Sequence, residues 1–177
     1  MSFERVDSET AWKGRIIEVR IDRFRHDDGE EAEREVIAHP GAVGVVAYDD
    51  EQVWLVRQPR EAAGEQALLE VPAGKLDVDG EPPLETAKRE LAEEIGKAAA
   101  EWHEVASFYT SPGFTDERVT VYAATDLSDA EAEADEEERI EIVPWPLDRL
   151  DEAIDDCHDS KSLIGLLWLA RERSRAR

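Results

Sequence analysis

Three glutamates in one short stretch are the residues of this sequence best suited to chemistry. Glu90, Glu93 and Glu94 lie within the segment RELAEEIG, which ends at Gly96. On a helix these positions are related by i, i+3 and i+4, so their carboxylates share one face. Oxygen ligands without His or Cys suit Mg²⁺ or Mn²⁺ better than Zn²⁺. The spacing therefore predicts a helix that binds a divalent cation, and a solvated acidic helix is the alternative.

The residues around these glutamates predict where the helix begins and ends. Pro82 and Pro83 suit a helix start, and Gly96 suits its end. Leu84, Ala87, Leu91 and Ile95 recur at the same period on a different face. One face is therefore expected to pack while the other collects negative charge. Arg89 is placed to orient or partly neutralise the glutamates.

The stretch from Gly74 to Gly96 resembles the Nudix box, G-x5-E-x7-R-E-U-x-E-E-x-G-U, in which U is aliphatic. The match is complete from Glu81 to Gly96. Two departures are an extra residue between Gly74 and Glu81 and a lysine, Lys97, at the last aliphatic position. A motif with this many fixed positions is a specific signal.

The resemblance implies roles for the residues of the box. Glu90 and Glu94 are the expected ligands of a magnesium ion, with manganese as the alternative metal. Glu93 is expected to be a further ligand or a support for the ligands. Glu93 and Arg89 are both assigned to the catalytic residues.

Two segments before and within the start of the box resemble the ADP-ribose pyrophosphatase branch of this family. VRQPR ends at Arg60, and EVPAG runs from Glu70 to Gly74. The resemblance implies that Arg60 faces the substrate phosphates, that Glu70 lies near the site and binds substrate, and that the backbone carbonyl of Ala73 is a metal ligand. The fork of an arginine suits a phosphate better than a lysine does.

A third segment of the same branch follows the box. Pro112 lies 16 positions after Gly96, within SPGFTDE. The resemblance implies that Pro112 and Gly113 shape the substrate pocket. An ordinary turn made by Pro and Gly is the alternative.

An acidic run covers residues 129–141, DAEAEADEEERIE. Composition alone favours a solvated loop. In related pyrophosphatases such a loop supplies a general base and an extra metal ligand. Counting back from Ile140 places the base at Glu136 and the ligand at Glu138. A shift of one residue would substitute Glu137, and which of Glu136, Glu137 and Glu138 is the base remains open.

The N-terminal part of the chain predicts an antiparallel hairpin. Residues 12–25 alternate apolar and polar, residues 27–29 form a turn, and residues 34–37 form a return strand. The resemblance implies that this sheet takes part in a homodimer and contributes to the substrate site, with Arg34 assigned to substrate binding. We therefore divide the chain into a segment 1–40 and a Nudix domain 41–177.

The remaining pattern predicts an α/β fold. Apolar strands are expected at 42–48, 53–56, 101–109, 119–124 and 140–145, and closing helices at 147–154 and 160–173. The resemblance implies the Nudix α/β/α sandwich with a mixed sheet, plus the small N-terminal antiparallel sheet.

The charge balance limits the partners. The chain has 177 residues, with 44 acidic and 21 basic side chains and a net charge of −23. Nucleic acid and anionic membranes require a basic footprint, so neither is expected. No apolar run spans a bilayer and the N-terminus does not resemble a secretory signal, so we expect a cytoplasmic location. Cys157 is the only cysteine, which excludes an intrachain disulfide.

Together the resemblance implies Mg²⁺-dependent hydrolysis of ADP-ribose to AMP and ribose 5-phosphate. Three alternatives remain open: another nucleoside diphosphate sugar such as GDP-mannose, a non-catalytic nucleotide sensor, and a structural acidic protein. The last leaves the ordered spacing of the motifs unexplained.

Overall fold

The computed structural model describes residues 2–131 and 139–175. They form two compact units. The first contains the residues up to Gly41 together with Phe108–Arg118, and the second contains Ala42–Ser107 and the residues from Val119 onward. The division at residues 40 and 41 did not anticipate that Phe108–Arg118 belongs with the N-terminal residues.

The first unit contains a three-stranded antiparallel sheet in the order β1-β2-β3. Its strands are β1, Phe3–Lys13; β2, Glu18–His26; and β3, Glu31–Ala38. The predicted hairpin is confirmed: Gly29, with φ 86°, donates its N–H to the carbonyl of His26 at 3.0 Å. The predicted first strand, 12–25, is wrong at its start, because Gly14 donates to the carbonyl of Ile17 at 2.9 Å and the chain turns there.

Strand β1 was not predicted. Its sequence, FERVDSETAWK, is exposed at every position but one, so it lacks the alternation that marks a half-buried strand. Its backbone pairs with β2 from Phe3 opposite His26 to Lys13 opposite Glu18. Every residue type offers a backbone carbonyl, and every type except proline a backbone N–H, so pairing of this kind is not visible in the hydrophobicity pattern.

Within the residues that the structure describes, the second unit has a seven-stranded sheet. Its strands are β4, Ala42–Tyr48; β5, Gln52–Arg60; β6, Glu65–Glu70; β7, Ala73–Lys75; β8, Lys97–Tyr109; β9, Arg118–Asp129; and β10, Glu141–Pro146. The order is β10-β5-β4-β9-β8, with β6 beside β5 and β7 beside β4. Strand β4 pairs parallel with β9 and antiparallel with β5 and β7, which confirms the mixed sheet.

The helices of this unit cover both faces of its sheet. They are α1, Pro83–Ile95; α2, Leu150–Asp156; and α3, Ser160–Arg175. Leu91 of α1 packs in one buried cluster with Val43 and Val45. Gly165 of α3 lies so close to Val46 that a Cβ on the glycine would be 2.5 Å from a valine methyl group. Successive residues of β4 point to opposite faces, so α1 and α3 lie on opposite sides, as the predicted sandwich requires.

The helix that carries the three glutamates has the predicted ends. Pro82 precedes the first turn, and Gly96 ends the helix in the left-handed conformation with φ 64°. Only glycine adopts this conformation without steric cost, so the strand that follows can begin immediately at Lys97. Residues 147–149 form a short 3-10 turn before α2, so the predicted helix at 147–154 begins later than expected.

Two adjacent leucines of α3 test how this helix contributes to stability. Leu166 is fully buried, whereas Leu167 is 55% exposed. We expect Leu166→Ala to lower the free energy of unfolding by about 2 to 5 kcal/mol, because it leaves a cavity under the sheet. Leu167→Ala, with the same change in helix propensity, should stay within about 0.5 kcal/mol. Urea denaturation measures both, and equal losses would contradict the packing described here.

Candidate active site

Two glutamates of α1 lie against the backbone of the loop that enters the box. The N–H of Ala73 donates to Oε2 of Glu94 at 3.0 Å, and Glu94 is only 7% exposed. A Cβ on Gly74 would lie 2.0 Å from Cδ of Glu90, so the carboxylate occupies the space that any other side chain at 74 would need. The structure therefore brings Ala73, Glu90 and Glu94 together, and their role as metal ligands stays a prediction.

Glu93 and Glu90 are both bound by one arginine. Arg89 donates from Nη1 to Oε2 of Glu93 and to Oε1 of Glu90, both at 2.8 Å. Its Nη2 reaches Oε2 of Glu81 at 3.3 Å. Burial alone would lower the pKa of Arg89, but the hydrogen bond to Glu81 and the charges of Glu90 and Glu93 outweigh burial and raise it. Arg89 is therefore a permanent cation within a ring of carboxylates.

Glu81, the first glutamate of the box, received no role from the sequence. Its Oε2 accepts a hydrogen bond from Thr86 Oγ1 at 2.7 Å in addition to the one from Arg89. These two bonds, with that from Thr86 the stronger influence, lower the pKa of Glu81. Glu81 thus stays ionised and holds Arg89 from the side opposite to Glu93.

The donor set fits a magnesium ion without forming a complete cage. Within residues 2–131 and 139–175, no three His, Cys, Asp or Glu side chains lie close enough together to hold a metal ion. The three glutamates share a helix but do not form such a group: Arg89 binds both Glu90 and Glu93, and Glu94 accepts from the N–H of Ala73. Glu90, Glu94 and the carbonyl of Ala73 nevertheless lie close together, and all of them offer oxygen donors. Mg²⁺ is commonly held by one or two carboxylates, with waters and substrate phosphates completing its octahedron, so these residues fit it.

Arg60 and Glu70 contact each other directly. Arg60 donates from Nε to Oε2 of Glu70 at 2.8 Å, and Glu70 is 3% exposed. Lys161, to which the sequence gave no role, donates from Nζ to Oε1 of the same carboxylate at 2.6 Å. A buried carboxylate requires such partners. The only signal for Lys161 in the sequence was its position at the start of the last helix.

In the first unit, the three remaining substrate-binding candidates line a single cleft. Arg34, Pro112 and Gly113 border a cavity of about 740 Å³. Three aromatic rings line it as well: Phe3, Phe24 and Phe114. The segment that carries Pro112 is fixed to β3, since Ile37 donates its N–H to the carbonyl of Phe114 at 2.8 Å and Thr115 Oγ1 donates to the carbonyl of Ile37 at 2.8 Å.

A buried carboxylate organises the arginines of this cleft. Asp22 is 2% exposed and accepts hydrogen bonds from Ser8 Oγ at 2.5 Å and from Arg5 Nη1 at 3.3 Å. Arg20 Nε lies 3.6 Å from the same carboxylate. Burial alone would raise the pKa of Asp22, but these hydrogen bonds and charges outweigh burial and lower it. Sequence reasoning missed Asp22, because alternation predicted a strand here but not the pairing that buries this residue.

Two predicted residues cannot be placed. Glu136 and Glu138, together with the alternative Glu137, lie outside the described residues.

The departure from the box at Lys97 has a local explanation. The amine of Lys97 binds Asp129 at 2.6 Å and lies 5.6 Å from the ring centre of Trp54, so the methylene groups of the lysine replace the aliphatic side chain. None of the described helices is long and apolar enough to cross a membrane.

Known proteins resemble this chain over most of its length. The model of the NUDIX domain matches residues 38–164. An ADP-ribose pyrophosphatase of Mycobacterium tuberculosis is 45% identical over 81% of this chain and 70% of its own length. A methanol dehydrogenase activator of Bacillus methanolicus is 37% identical over 93% and 90% of the two chains.

A solved structure has the same fold. The crystal structure described as an ADP compounds hydrolase superposes with a TM-score of 0.84, covers 99% of this chain and 96% of its own, and is 24% identical. The box on α1, the strands that support it and the matched domain model agree. The chain therefore belongs to the Nudix family.

Proposed function

We propose that this protein hydrolyses the pyrophosphate bond of ADP-ribose to AMP and ribose 5-phosphate, with Mg²⁺ as the cofactor and Mn²⁺ as its alternative. One observation carries the proposal: Glu90 and Glu94 lie against the Ala73–Gly74 backbone. ADP-ribose is the proposed substrate because a relative 45% identical to this chain bears the name ADP-ribose pyrophosphatase.

The chemistry requires positive charge beside the substrate. A pyrophosphate diester carries two negative charges that repel an incoming hydroxide, and the protein itself has a net charge of −23. A bound divalent ion would withdraw charge from the phosphoryl oxygens. Glu90, Glu94 and the carbonyl of Ala73 would hold it, and Arg60 would bind the phosphates with its guanidinium fork. Water adds to one phosphorus, the bridging P–O bond breaks, and two phosphate monoesters leave.

A base is needed to take the proton of the attacking water. We assign this role to Glu136, with Glu137 as its alternative, and we assign an extra ligand role to Glu138. Both assignments rest on the resemblance of the acidic run to that of related pyrophosphatases. Glu93 and Arg89 support the ligands, since Arg89 joins Glu93 to Glu90 through hydrogen bonds of 2.8 Å.

Arg34, Pro112 and Gly113 are proposed to contact the substrate. They line the cleft of the first unit beside three phenylalanine rings, which offer stacking surfaces for a flat base. Glu70 is proposed to act by holding Arg60, with which it forms a 2.8 Å ion pair.

We further propose that the protein is a cytoplasmic homodimer formed through its first unit, which we take as the dimerisation segment. Large apolar side chains of this unit are exposed: Phe3 at 67%, Trp12 at 56% and Ile16 at 58%. Exposed apolar groups mark interfaces when they lie side by side, and Trp12 and Ile16 lie at the same end of the sheet, at the turn between β1 and β2. Nucleic acid and membrane are not proposed as partners, given the net charge of −23.

A second candidate function has one observation in its favour. The Bacillus methanolicus relative, 37% identical over 93% of this chain, is named as an activator of a dehydrogenase. The protein would then raise the activity of a partner dehydrogenase. Stimulation of a partner dehydrogenase without turnover of any sugar nucleotide would favour this function.

The substrate is tested with a panel of ADP-ribose, GDP-mannose, UDP-glucose and 8-oxo-dGTP, with Mg²⁺ or EDTA, at low and high salt. We expect AMP and ribose 5-phosphate from ADP-ribose, abolished by EDTA. Preference for GDP-mannose would support pyrophosphate hydrolysis by the residues of the box and would contradict ADP-ribose as the substrate. A folded protein that binds nucleotide without turnover would instead be a sensor.

Replacing a proposed ligand tests the metal site. Glu94→Gln should reduce turnover by several orders of magnitude, because an amide is a much poorer ligand than a carboxylate for Mg²⁺. Glu85→Gln is the matched control: it lies on the same helix, is exposed and forms an ion pair with Lys88 at 2.8 Å. Near-normal turnover of Glu94→Gln at saturating Mg²⁺ would exclude Glu94 as a ligand.

Gly74→Ala tests the contact between the loop and Glu90. The new methyl group would overlap the carboxylate, whose Oε1 lies 2.1 Å from the ideal Cβ position. A shift of this side chain by about 1 Å should lower kcat/KM about 10²-fold. The melting temperature, measured alongside, separates displacement from unfolding. Wild-type activity would mean that the Glu90 carboxylate has another productive position.

A further inference from the structure

Lys161 occupies a position that no part of the proposed reaction uses. Its side chain is 12% exposed, and Nζ donates to Glu70 at 2.6 Å and to Asp159 at 3.0 Å. Its stem runs over Gly44, where an added Cβ would lie 3.6 Å from Cδ of the lysine. A buried ammonium with two carboxylate partners is costly to place and is held in one geometry.

The contact with Glu70 connects this lysine to Arg60. Lys161 binds Oε1 of Glu70 and Arg60 binds Oε2, so the two cations share a single carboxylate with one oxygen each. Among the described residues the terminal nitrogens of Arg60 make no hydrogen bond, and its side chain is 40% exposed. Within the described part of the chain, Arg60 is thus anchored at Nε alone.

We propose that Lys161 is a positioning residue that fixes Arg60 for the diphosphate of the substrate by occupying the second oxygen of Glu70. This inference rests on the proposed function, in which Arg60 binds the phosphates. Without Lys161, Glu70 would have both oxygens available to Arg60 alone. A carboxylate readily takes two parallel hydrogen bonds from one guanidinium, so the fork would turn inward and leave the substrate.

Attachment of α3 to the rest of the unit does not by itself explain the presence of a lysine at position 161. Ser162, the next residue, already ties the helix to the loop by accepting a hydrogen bond from the N–H of Val71 at 2.8 Å. Gly165 packs against Val46 one turn further on. A purely structural lysine would add stability without affecting Arg60, whereas a positioning lysine changes how tightly Arg60 binds phosphate.

A double-mutant cycle separates these two roles. The variants are Lys161→Met, Arg60→Ala and the pair together, and KM, kcat and melting temperature are measured for ADP-ribose with Mg²⁺. We expect Lys161→Met to lower kcat/KM about tenfold, mainly through KM, because an interaction made in both ground and transition states is weakened. In the Arg60→Ala background the same change should have less than about a twofold further effect, since coupled residues are not additive.

Two further variants complete the set. Lys161→Arg keeps a cation on Glu70 and should recover most of the affinity, and Lys161→Gln, which also removes the charge, replaces Lys161→Met if that variant does not fold. Lys97→Met is the matched control, since it also removes a lysine with a carboxylate partner at 2.6 Å, and it should leave kcat/KM unchanged. Losses that multiply in the double variant, or a normal KM for Lys161→Met, would overturn the inference.

Binding distinguishes this inference from the proposed function. Calorimetric titration with ADP-ribose in EDTA repeats the cycle without turnover, and the same pattern of dissociation constants is expected. If the wild type binds but does not hydrolyse ADP-ribose, a non-additive cycle supports the role of Lys161 although the proposed function fails. Turnover with an additive cycle overturns the role of Lys161 alone, and a wild type that neither binds nor turns over ADP-ribose overturns both.

Discussion

The position of Arg89 inside the carboxylates of α1 is the constraint on which the site depends. Glu81, Glu90 and Glu93 all contact its guanidinium group, at 2.8 to 3.3 Å. Without a cation among them, like charges on adjacent turns would repel and the helix would lose stability at low metal concentration. Because arginine cannot lose its proton under ordinary conditions, it preorganises the cluster whether or not a metal is bound. The Nudix box therefore contains both the proposed metal ligands and the arginine that holds their carboxylates in place.

The second constraint is the short loop between β6 and β7, whose backbone is fastened from several directions. The N–H of Val71 binds Ser162, the carbonyl of Pro72 accepts from Val45 at 2.8 Å, and the N–H of Ala73 binds Glu94. A loop with its polar groups satisfied in this way has little freedom to move. Gly74 then lets Glu90 approach the backbone. The two helices and β4 thus define one geometry for the proposed ligands.

Sequence reasoning identified what is local or contained in a motif. The ends of α1, the strands β4 and β9 and the grouping of Glu90 and Glu94 beside Ala73 follow from periodicity or from the box. It failed for β1, which has no apolar face, and for β6, whose first three residues are exposed. It also missed contacts between distant residues: Lys161 and Glu70 are 91 positions apart, and Thr115 and Ile37 are 78 apart. Periodicity describes neighbours along the chain and cannot report pairs created by the fold.

The acidic composition and the chemistry of the site are physically consistent. With 44 acidic and 21 basic residues, the long-range field attracts divalent cations and repels a free diphosphate. A diphosphate complexed with magnesium carries less negative charge, so it meets a weaker barrier, and salt screens that barrier further beyond a Debye length of about 10 Å at 0.1 M. At short range the cations Arg60, Arg89 and Lys161 are each held by carboxylates of the fold, so a divalent ion would still have to supply much of the positive charge. These side chains are fixed in position, and Arg60 is the one proposed to reach the phosphates.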